Sequence, residues 1–359
     1  MINFGVVGTG WRAEFFLRIA SACPDKFRVV GIVGRSRQKA DECGHRFRAT
    51  VFDSLEDLVK QGKPDFVVLS LSRGATVPVI EQCARLNIPV LVETPPAEKL
   101  DDLLQVWDLV NHGARIQVAE QYWAQPHHAA RLALVKRGYL GTITQAQISV
   151  CHGYHGISLM RRFLDVTFEN ATITASGFSS PIVEGPGRNG PPKTETVISS
   201  KQVTARFDFG DKLGTYDFTG DQYFSFIRGQ RVMVRGDRGE LVDEHAVYLK
   251  DSATPLHVSL ARQSAGKNGN LEGNFLKGIE AGAEWLYVNP LRPAALSDEE
   301  VAIGTCLLAM SDYASGGKPF YSFAEAAQDR YLDLLMERAL ATQLAVQSQT
   351  QPWHVGLDR

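Results

Sequence analysis

No uninterrupted apolar run in this chain is long enough to cross a bilayer, which excludes a helical membrane span within it. Cysteine is sparse and unpatterned: Cys23, Cys43, Cys83, Cys151 and Cys306 are odd in number and show no C-x-x-C spacing. That excludes a disulfide framework and a thiolate zinc site, and reads as reduced thiols in a cytoplasmic protein. No metal site is expected. A surplus of charge of either sign is lacking as well. The net charge of −2 gives no electrostatic reason for a nucleic-acid partner or an anionic membrane surface. Repeats and low-complexity tracts are missing, and because the first apolar run begins at Ile2 no signal peptide is expected. Asn170-Ala171-Thr172 matches a glycosylation sequon, which reads as coincidence in such a chain.

What remains is a globular protein. Its 359 residues exceed one ordinary domain, and 44% hydrophobic content can supply a large core. The strongest signal stands at the start. Ile2–Val7 is a short apolar run, followed at once by Gly8-Thr9-Gly10-Trp11-Arg12-Ala13 and an amphipathic stretch through Phe15, Phe16, Ile19 and Ala20. Strand, glycine turn and helix form the setting in which G-x-G-x-x-A acquires meaning. Gly8 permits the tight turn, Gly10 lets the backbone approach a pyrophosphate, and Ala13 lets the helix pack closely on the strand. The helix N-terminus offers free N–H groups to the phosphates. These residues predict a dinucleotide site.

Residues 1–122 alternate strand-like runs (Ile2–Val7, Arg28–Val33, Phe66–Ser70, Val90–Val92, Ile116–Ala119) with helical stretches. Leu100, Leu103, Leu104, Trp107 and Val110 share one helical face. Such alternation predicts an α/β, doubly wound parallel sheet of Rossmann type. Residues 127–137 read as a helix stopped by Gly138 and Gly141. From Thr142 to about Leu260 the pattern becomes β-alternating, with runs at Thr144–Val150, Thr172–Gly177, Val203–Phe209, Thr215–Thr219, Arg231–Val234 and Val247–Leu249. An antiparallel sheet is expected there. Gly185–Pro192 is a loop, either a lid or a plain surface excursion, with the excursion the simpler reading. Gly266–Gly273 resembles it. Helical pattern returns at Asn274–Ala281, Asp298–Tyr313 and Ala324–Thr342. The expected division is a dinucleotide-binding domain over 1–122 and a substrate and oligomerisation domain over 123–359.

The second strand decides between cofactors. An NAD-selective fold places an acid at its end, where it binds the ribose 2′-OH. Here the strand ends in Gly34-Arg35-Ser36-Arg37, and no carboxylate stands between Asp25 and Asp41. Arg35 and Arg37, with the Ser36 hydroxyl, suit a 2′-phosphate. NADP is therefore preferred to NAD.

Four stretches now carry a resemblance. They are Gly5-Val6-Val7-Gly8-Thr9-Gly10-Trp11, then Asn87-Ile88-Pro89-Val90-Leu91-Val92-Glu93-Thr94-Pro95, then Ala119-Glu120-Gln121-Tyr122 with Pro126, and His155 through Leu164. In order and spacing the chain resembles the glucose–fructose oxidoreductase, inositol dehydrogenase and rhizopine-catabolism (Gfo/Idh/MocA) family. The resemblance implies a Rossmann domain, then a C-terminal α+β domain whose large, mostly antiparallel open sheet pairs subunits into homodimers or homotetramers. It also implies NAD(P)-dependent oxidation or reduction of a sugar, polyol or related ring. Ser70, Glu93 and Thr94 are expected to join Gly8, Thr9, Gly10, Trp11 and Arg12 around the cofactor.

The departures from that family matter. Its Glu-Lys-Pro is Glu93-Thr94-Pro95 here, so the lysine beside the reacting hydroxyl is gone. Its Asp-x-x-x-His is Cys151-His152-Gly153-Tyr154-His155, so His155 keeps the histidine while Cys151 replaces the acid. Ser158 takes the place of a frequent Asp. Histidine suits proton transfer at neutral pH. His155 is the first choice, His152 the second, with Tyr154 or Tyr122 as relays and Thr94 orienting a substrate oxygen. Glu120, Tyr122, His127 and Cys151 are expected at the substrate, with His128 bordering the cleft. Two alternatives stand beside the oxidoreductase. One is a glycoside hydrolase working by transient oxidation and elimination; the other is a non-catalytic dinucleotide-dependent sensor.

Overall fold

A computed structural model describes residues 1–72, 74–266, 270 and 273–358. The first part alternates strand and helix: β1 (Ile2–Val7), α1 (Trp11–Ala22), β2 (Phe27–Val33), α2 (Arg37–Phe47), β3 (Val51–Phe52), α3 (Leu55–Asp57), β4 (Phe66–Leu69), α4 (Thr76–Arg85), β5 (Val90–Val92), α5 (Leu100–Asn111) and β6 (Ile116–Val118). All neighbouring strands are parallel, in the order β3-β2-β1-β4-β5-β6. This is the doubly wound Rossmann order. Its strands are buried on both faces, so they read as continuous apolar runs without alternation. Phe4 stacks on Phe66 across the β1–β4 pair, with ring centroids 5.7 Å apart.

The second part comprises α6 (Pro126–Lys136), β7 (Ile143–Ser149), α7 (Gly153–Leu164), β8 (Thr172–Val183), β9 (Val197–Asp208), β10 (Leu213–Thr219), β11 (Arg231–Gly236), β12 (Gly239–Val242), β13 (His245–Asp251), β14 (Thr254–Ala265), β15 (Phe275–Ala281), β16 (Glu284–Val288), α8 (Asp298–Ala314), α9 (Phe323–Thr342) and β17 (Val346–Gln347). Eleven strands form one sheet, β16-β15-β14-β13-β12-β11-β7-β10-β9-β8-β17. Every pairing in it is antiparallel except β7 with β10. One core joins this sheet to α6, α7 and α9.

One expected element is overturned. Asn274–Ala281, read as helical, contains the strand β15, paired on both sides. Phe275, Leu276 and Ile279 mimic a helical face, but two flanking strands supply the tertiary context that overrides local spacing. Gly278 fits that crowding: an added Cβ would collide with the Tyr287 carbonyl of β16. The expected loop at 266–273 lies largely outside the described residues.

The last two long helices return to the first sheet. Ile303, Cys306, Leu307 and Met310 of α8 share a core with Phe4, Phe16 and Ile19, while Phe323, Ala327 and Tyr331 of α9 pack with Val67, Leu103 and Val106. Segments 1–122 and 123–359 therefore share buried surface, and each such large side chain contributes about 1.5–3 kcal/mol. Both helices begin with a capping box, Ser297 with Glu300 and Ser322 with Glu325. All five cysteines are buried and unpaired. Among the described residues no helix is long and apolar enough to cross a membrane.

Candidate active site

The carboxyl ends of the parallel strands bring four segments together. Gly8 follows β1, Ser70 follows β4, Glu93-Thr94 follows β5 and Glu120 follows β6. Ligands bind at this edge in open α/β sheets. Gly8 has φ +128°, and an added Cβ would strike the Ser70 carbonyl. This close approach holds the turn against β4. Gly10 differs: its Cβ would meet nothing within 4 Å, and no side chain caps α1. Open space above an uncapped helix N-terminus is a cradle for a phosphate. At the end of β5, near Arg12, Glu93 Oε1 is buried without a hydrogen-bond partner. Burial pushes the Glu93 carboxyl up to about 7 although Arg12 beside it favours the charge. The cradle and the waiting acceptor fit a dinucleotide.

The basic segment after β2 is only half available. Arg37 hydrogen-bonds Asp41 at 2.9 Å and also Asp53. Ser36 caps α2, its hydroxyl accepting from the Lys39 amide at 3.5 Å. Arg35 is exposed and has no carboxylate partner among the described residues. Arg12 is likewise committed, to Glu299 at 2.7 Å and Glu93 at 3.8 Å.

His155 lies in the first turn of α7, buried, with its Nδ1 2.5 Å from Glu120 Oε2. Glu120 Oε1 accepts from the Tyr122 amide at 3.0 Å. A carboxylate thus reaches His155 from another element, the end of β6. Burial disfavours charge on both partners, pushing Glu120 up to about 8 and His155 down to about 3. The pair therefore holds its ionisable proton jointly at neutral pH. Rings crowd around it: Tyr154 at 4.4 Å, Tyr122 at 4.7 Å and His152 at 5.0 Å between centroids.

His152 Nδ1 meets the Tyr223 hydroxyl at 2.5 Å, and that hydroxyl also bonds Tyr122. Amides at the start of α7 donate to tyrosine hydroxyls, His152 to Tyr223 at 3.0 Å and Gly153 to Tyr216 at 2.9 Å. Thr94, standing where the family has lysine, hydrogen-bonds the Tyr154 hydroxyl. Burial raises the pKa of Tyr122, Tyr154 and Tyr223, so all three stay protonated.

Tyr154 separates two cavities. One of about 910 Å³ also touches Ser72, Glu93 and Thr94. The other, about 400 Å³, touches His152, Lys201 and Asp333.

Several expected placements change. Cys151 does not face ligand space: it is fully buried in the core, and burial raises its thiol well above its ordinary value. Glu120 is the partner of His155 and is 2% exposed, so it supports the site from behind. His127 stands 3.5 Å from Asp298, outside the ring cluster. His128 is buried against Arg131, Nδ1 to Nη1 3.1 Å. Ser158 accepts from the Tyr321 hydroxyl at 2.8 Å and belongs to a buried network with Asp329 and Arg161. Tyr223 was not singled out by sequence. Its only local signal is the Gln222 side chain just before it, which accepts from the Thr219 amide at 2.9 Å.

Comparison with known proteins agrees with this fold. Residues 2–120 match the oxidoreductase family with an NAD-binding Rossmann fold, GFO_IDH_MocA. An inositol 2-dehydrogenase of Rubrobacter xylanophilus is 21% identical over 298 residues, covering 78% of this chain and 79% of the relative. Levoglucosan dehydrogenase, solved with NADH and levoglucosan, superposes with a TM-score of 0.70 at 16% identity, covering 96% of this chain and 99% of that one. GenD2 from gentamicin A biosynthesis, solved with NAD, gives 0.65 at 16% identity, with 97% and 96% covered. Residues 2–120 thus match the NAD-binding Rossmann domain of the Gfo/Idh/MocA oxidoreductase family, and the whole chain shares the fold of these solved dehydrogenases.

Proposed function

We propose that this protein is an NAD(P)-dependent dehydrogenase of a sugar or polyol, in which Glu120 and His155 together handle the hydroxyl proton. The observation that carries this reading is the buried 2.5 Å contact between His155 Nδ1 and Glu120 Oε2 at the cleft where Thr94 has displaced the family's lysine. The bound nicotinamide supplies the hydride acceptor. Gly8, Thr9, Gly10 and Trp11 would hold the diphosphate, and Ser70, Glu93 and Thr94 would border the nicotinamide end.

With Glu120 ionised, Nδ1 carries the ring proton and donates to the carboxylate, which leaves Nε2 a lone pair to accept the hydroxyl proton. With Glu120 protonated, its O–H donates to Nδ1 and the ring proton sits on Nε2, where it can be given to a carbonyl. One dyad thus serves oxidation in its deprotonated form and reduction in its protonated form. Tyr154, held protonated and lining both cavities, orients substrate hydroxyls as a donor, while Tyr223, bonded to Tyr122, holds His152 in place. The mixed polar and aromatic walls around Tyr154 suit a polyhydroxylated ring. Incubation with a sugar and polyol panel is expected to give 340 nm absorbance in stoichiometric amount. Sugar release without net absorbance change would replace this reading with the eliminating hydrolase, and binding without turnover would replace it with the sensor.

For the cofactor, NADP is our reading, with Arg35 as its main determinant because Arg37 is already held by two carboxylates. Arg35→Ala is expected to cost NADPH affinity about tenfold or more, the worth of one charge-assisted contact, and to leave NADH unchanged. Titrations in which the parent binds NADH more tightly would overturn the preference.

We also propose that copies of this chain pair through the large sheet. Phe178 on β8 (67% exposed) and Ile198 on β9 stand on one face of the ladder, and Val183 and Val197 (64% exposed) are paired on the other. Large apolar side chains left exposed on a sheet mark a contact surface. Light scattering should give a mass of at least two chains; a monomer at micromolar concentration would exclude the pairing.

A further inference from the structure

We propose that Arg188, displayed on the loop between β8 and β9, is a diphosphate-binding residue supplied to the Rossmann site by the sheet domain. The two strands pair in unbroken register up to Val183 with Val197, and the Glu184 amide adds a bond to the Thr196 carbonyl at 2.8 Å. Beyond this the chain makes a tight turn closed by two hydrogen bonds between Gly187 and Gly190, each 3.0 Å. Arg188 and Asn189 are its tip. Pro186, Pro191 and Pro192 stiffen both arms, so little conformational freedom remains to be lost when the tip engages a ligand.

The tip, though exposed, touches the first domain. Its guanidinium lies 4.0 Å from the ring centroid of Trp11, the first residue of α1 and the immediate neighbour of Gly10 in the phosphate turn. On the same indole, Arg12 stands at 5.1 Å. The two arginines differ in what they have left to bind. Arg12 is occupied by Glu299 and Glu93. Arg188 has no carboxylate partner among the described residues. An uncompensated guanidinium is thus stacked beside an uncapped helix N-terminus whose Gly10 faces open space. Guanidinium matches phosphate oxygens in pairs, and stacking on an aromatic face leaves its N–H edge free to do so. The ligand class is a dinucleotide diphosphate. The loop, which sequence reading favoured as a plain surface excursion, becomes a strap tying cofactor binding to the placement of the sheet domain over the cleft.

This inference rests on the dinucleotide reading of the first domain, and the test separates the two. ADP-ribose, which carries the diphosphate without the nicotinamide, is titrated against tryptophan emission and by calorimetry; adenosine, which has no phosphate, serves as control. Arg188→Ala is expected to weaken ADP-ribose about tenfold or more and to leave adenosine unchanged. Arg188→Lys, keeping the charge but losing the paired fork, should fall between the two. The parent's affinity should drop more steeply with salt than that of Arg188→Ala. A variant that binds ADP-ribose as tightly as the parent, with only tryptophan emission altered, overturns the proposal and leaves Arg188 a stacking tether. Equal losses for ADP-ribose and adenosine also overturn it. A parent that binds no ADP-ribose overturns the dinucleotide reading itself.

Discussion

Gly10→Val is expected to abolish measurable dinucleotide binding while the protein stays folded. The two glycines of the turn divide fold from function. Gly8, at φ +128° with the Ser70 carbonyl against its α-carbon, cannot accept a side chain without moving β4. Gly10 has φ −81° and ψ 173°, an extended conformation that a β-branched residue adopts readily. No protein atom lies within 4 Å of its added Cβ. Valine there costs the fold only the weaker capping preference of an aliphatic residue, roughly 1 kcal/mol. Its branch fills the space through which the backbone approaches the pyrophosphate. Losing several charge-assisted contacts of about 1.5–3 kcal/mol each should lower affinity by more than about a hundredfold. ADP-ribose titration beside a thermal melt measures both halves. Parent-like affinity in Gly10→Val would show that this turn is not the phosphate loop.

The parts legible in sequence are those governed by local rules. β1 and β5 were read to the residue, and β2, β4 and β6 to within one, because strands buried on both faces are bounded sharply by polar turns. β3 escaped because two residues hold no period. β14 was not singled out because most of its twelve residues are exposed and its faces differ little. β15 was misread because three apolar residues fit a helix as well as a strand, and only its neighbours decide. The site divides in the same way. The glycine turn, His155 and the absence of the lysine were visible in the chain. The partner of His155 was not: Glu120 was noted only as a residue near substrate, and nothing local aims a carboxylate across the fold. That pairing exists because β6 ends where α7 begins its first turn. Arg188 and Trp11 meet for the same kind of reason, through the length of the β8–β9 hairpin.

His155→Ala should lower the single-turnover rate of hydride transfer by about a hundredfold to ten-thousandfold, the usual worth of a positioned acid or base. Cofactor affinity should stay within about twofold, since the dinucleotide contacts lie on other elements. Glu120→Gln tests the dyad itself. The Tyr122 amide donates to Oε1 at 3.0 Å, so a glutamine would keep its carbonyl there and turn its NH₂ toward Nδ1. Nδ1 would then be an acceptor, the ring proton would be fixed on Nε2, and oxidation would lose its base. The pH dependence follows from the same proton. Burial raises Glu120 to about 8 and depresses His155, so below about pH 8 the pair is protonated and suited to carbonyl reduction. Oxidation should accelerate as pH rises through about 8, while reduction slows. This replaces the transition near about 6.5 that an unperturbed histidine would show. In Glu120→Gln the inflection near pH 8 should vanish, because the group that titrates there has been removed. Single-turnover rates across pH 6–10 for the parent and both variants decide the matter. A His155→Ala enzyme as fast as its parent would remove the dyad from the mechanism and move the proton to His152 and its Tyr223 partner.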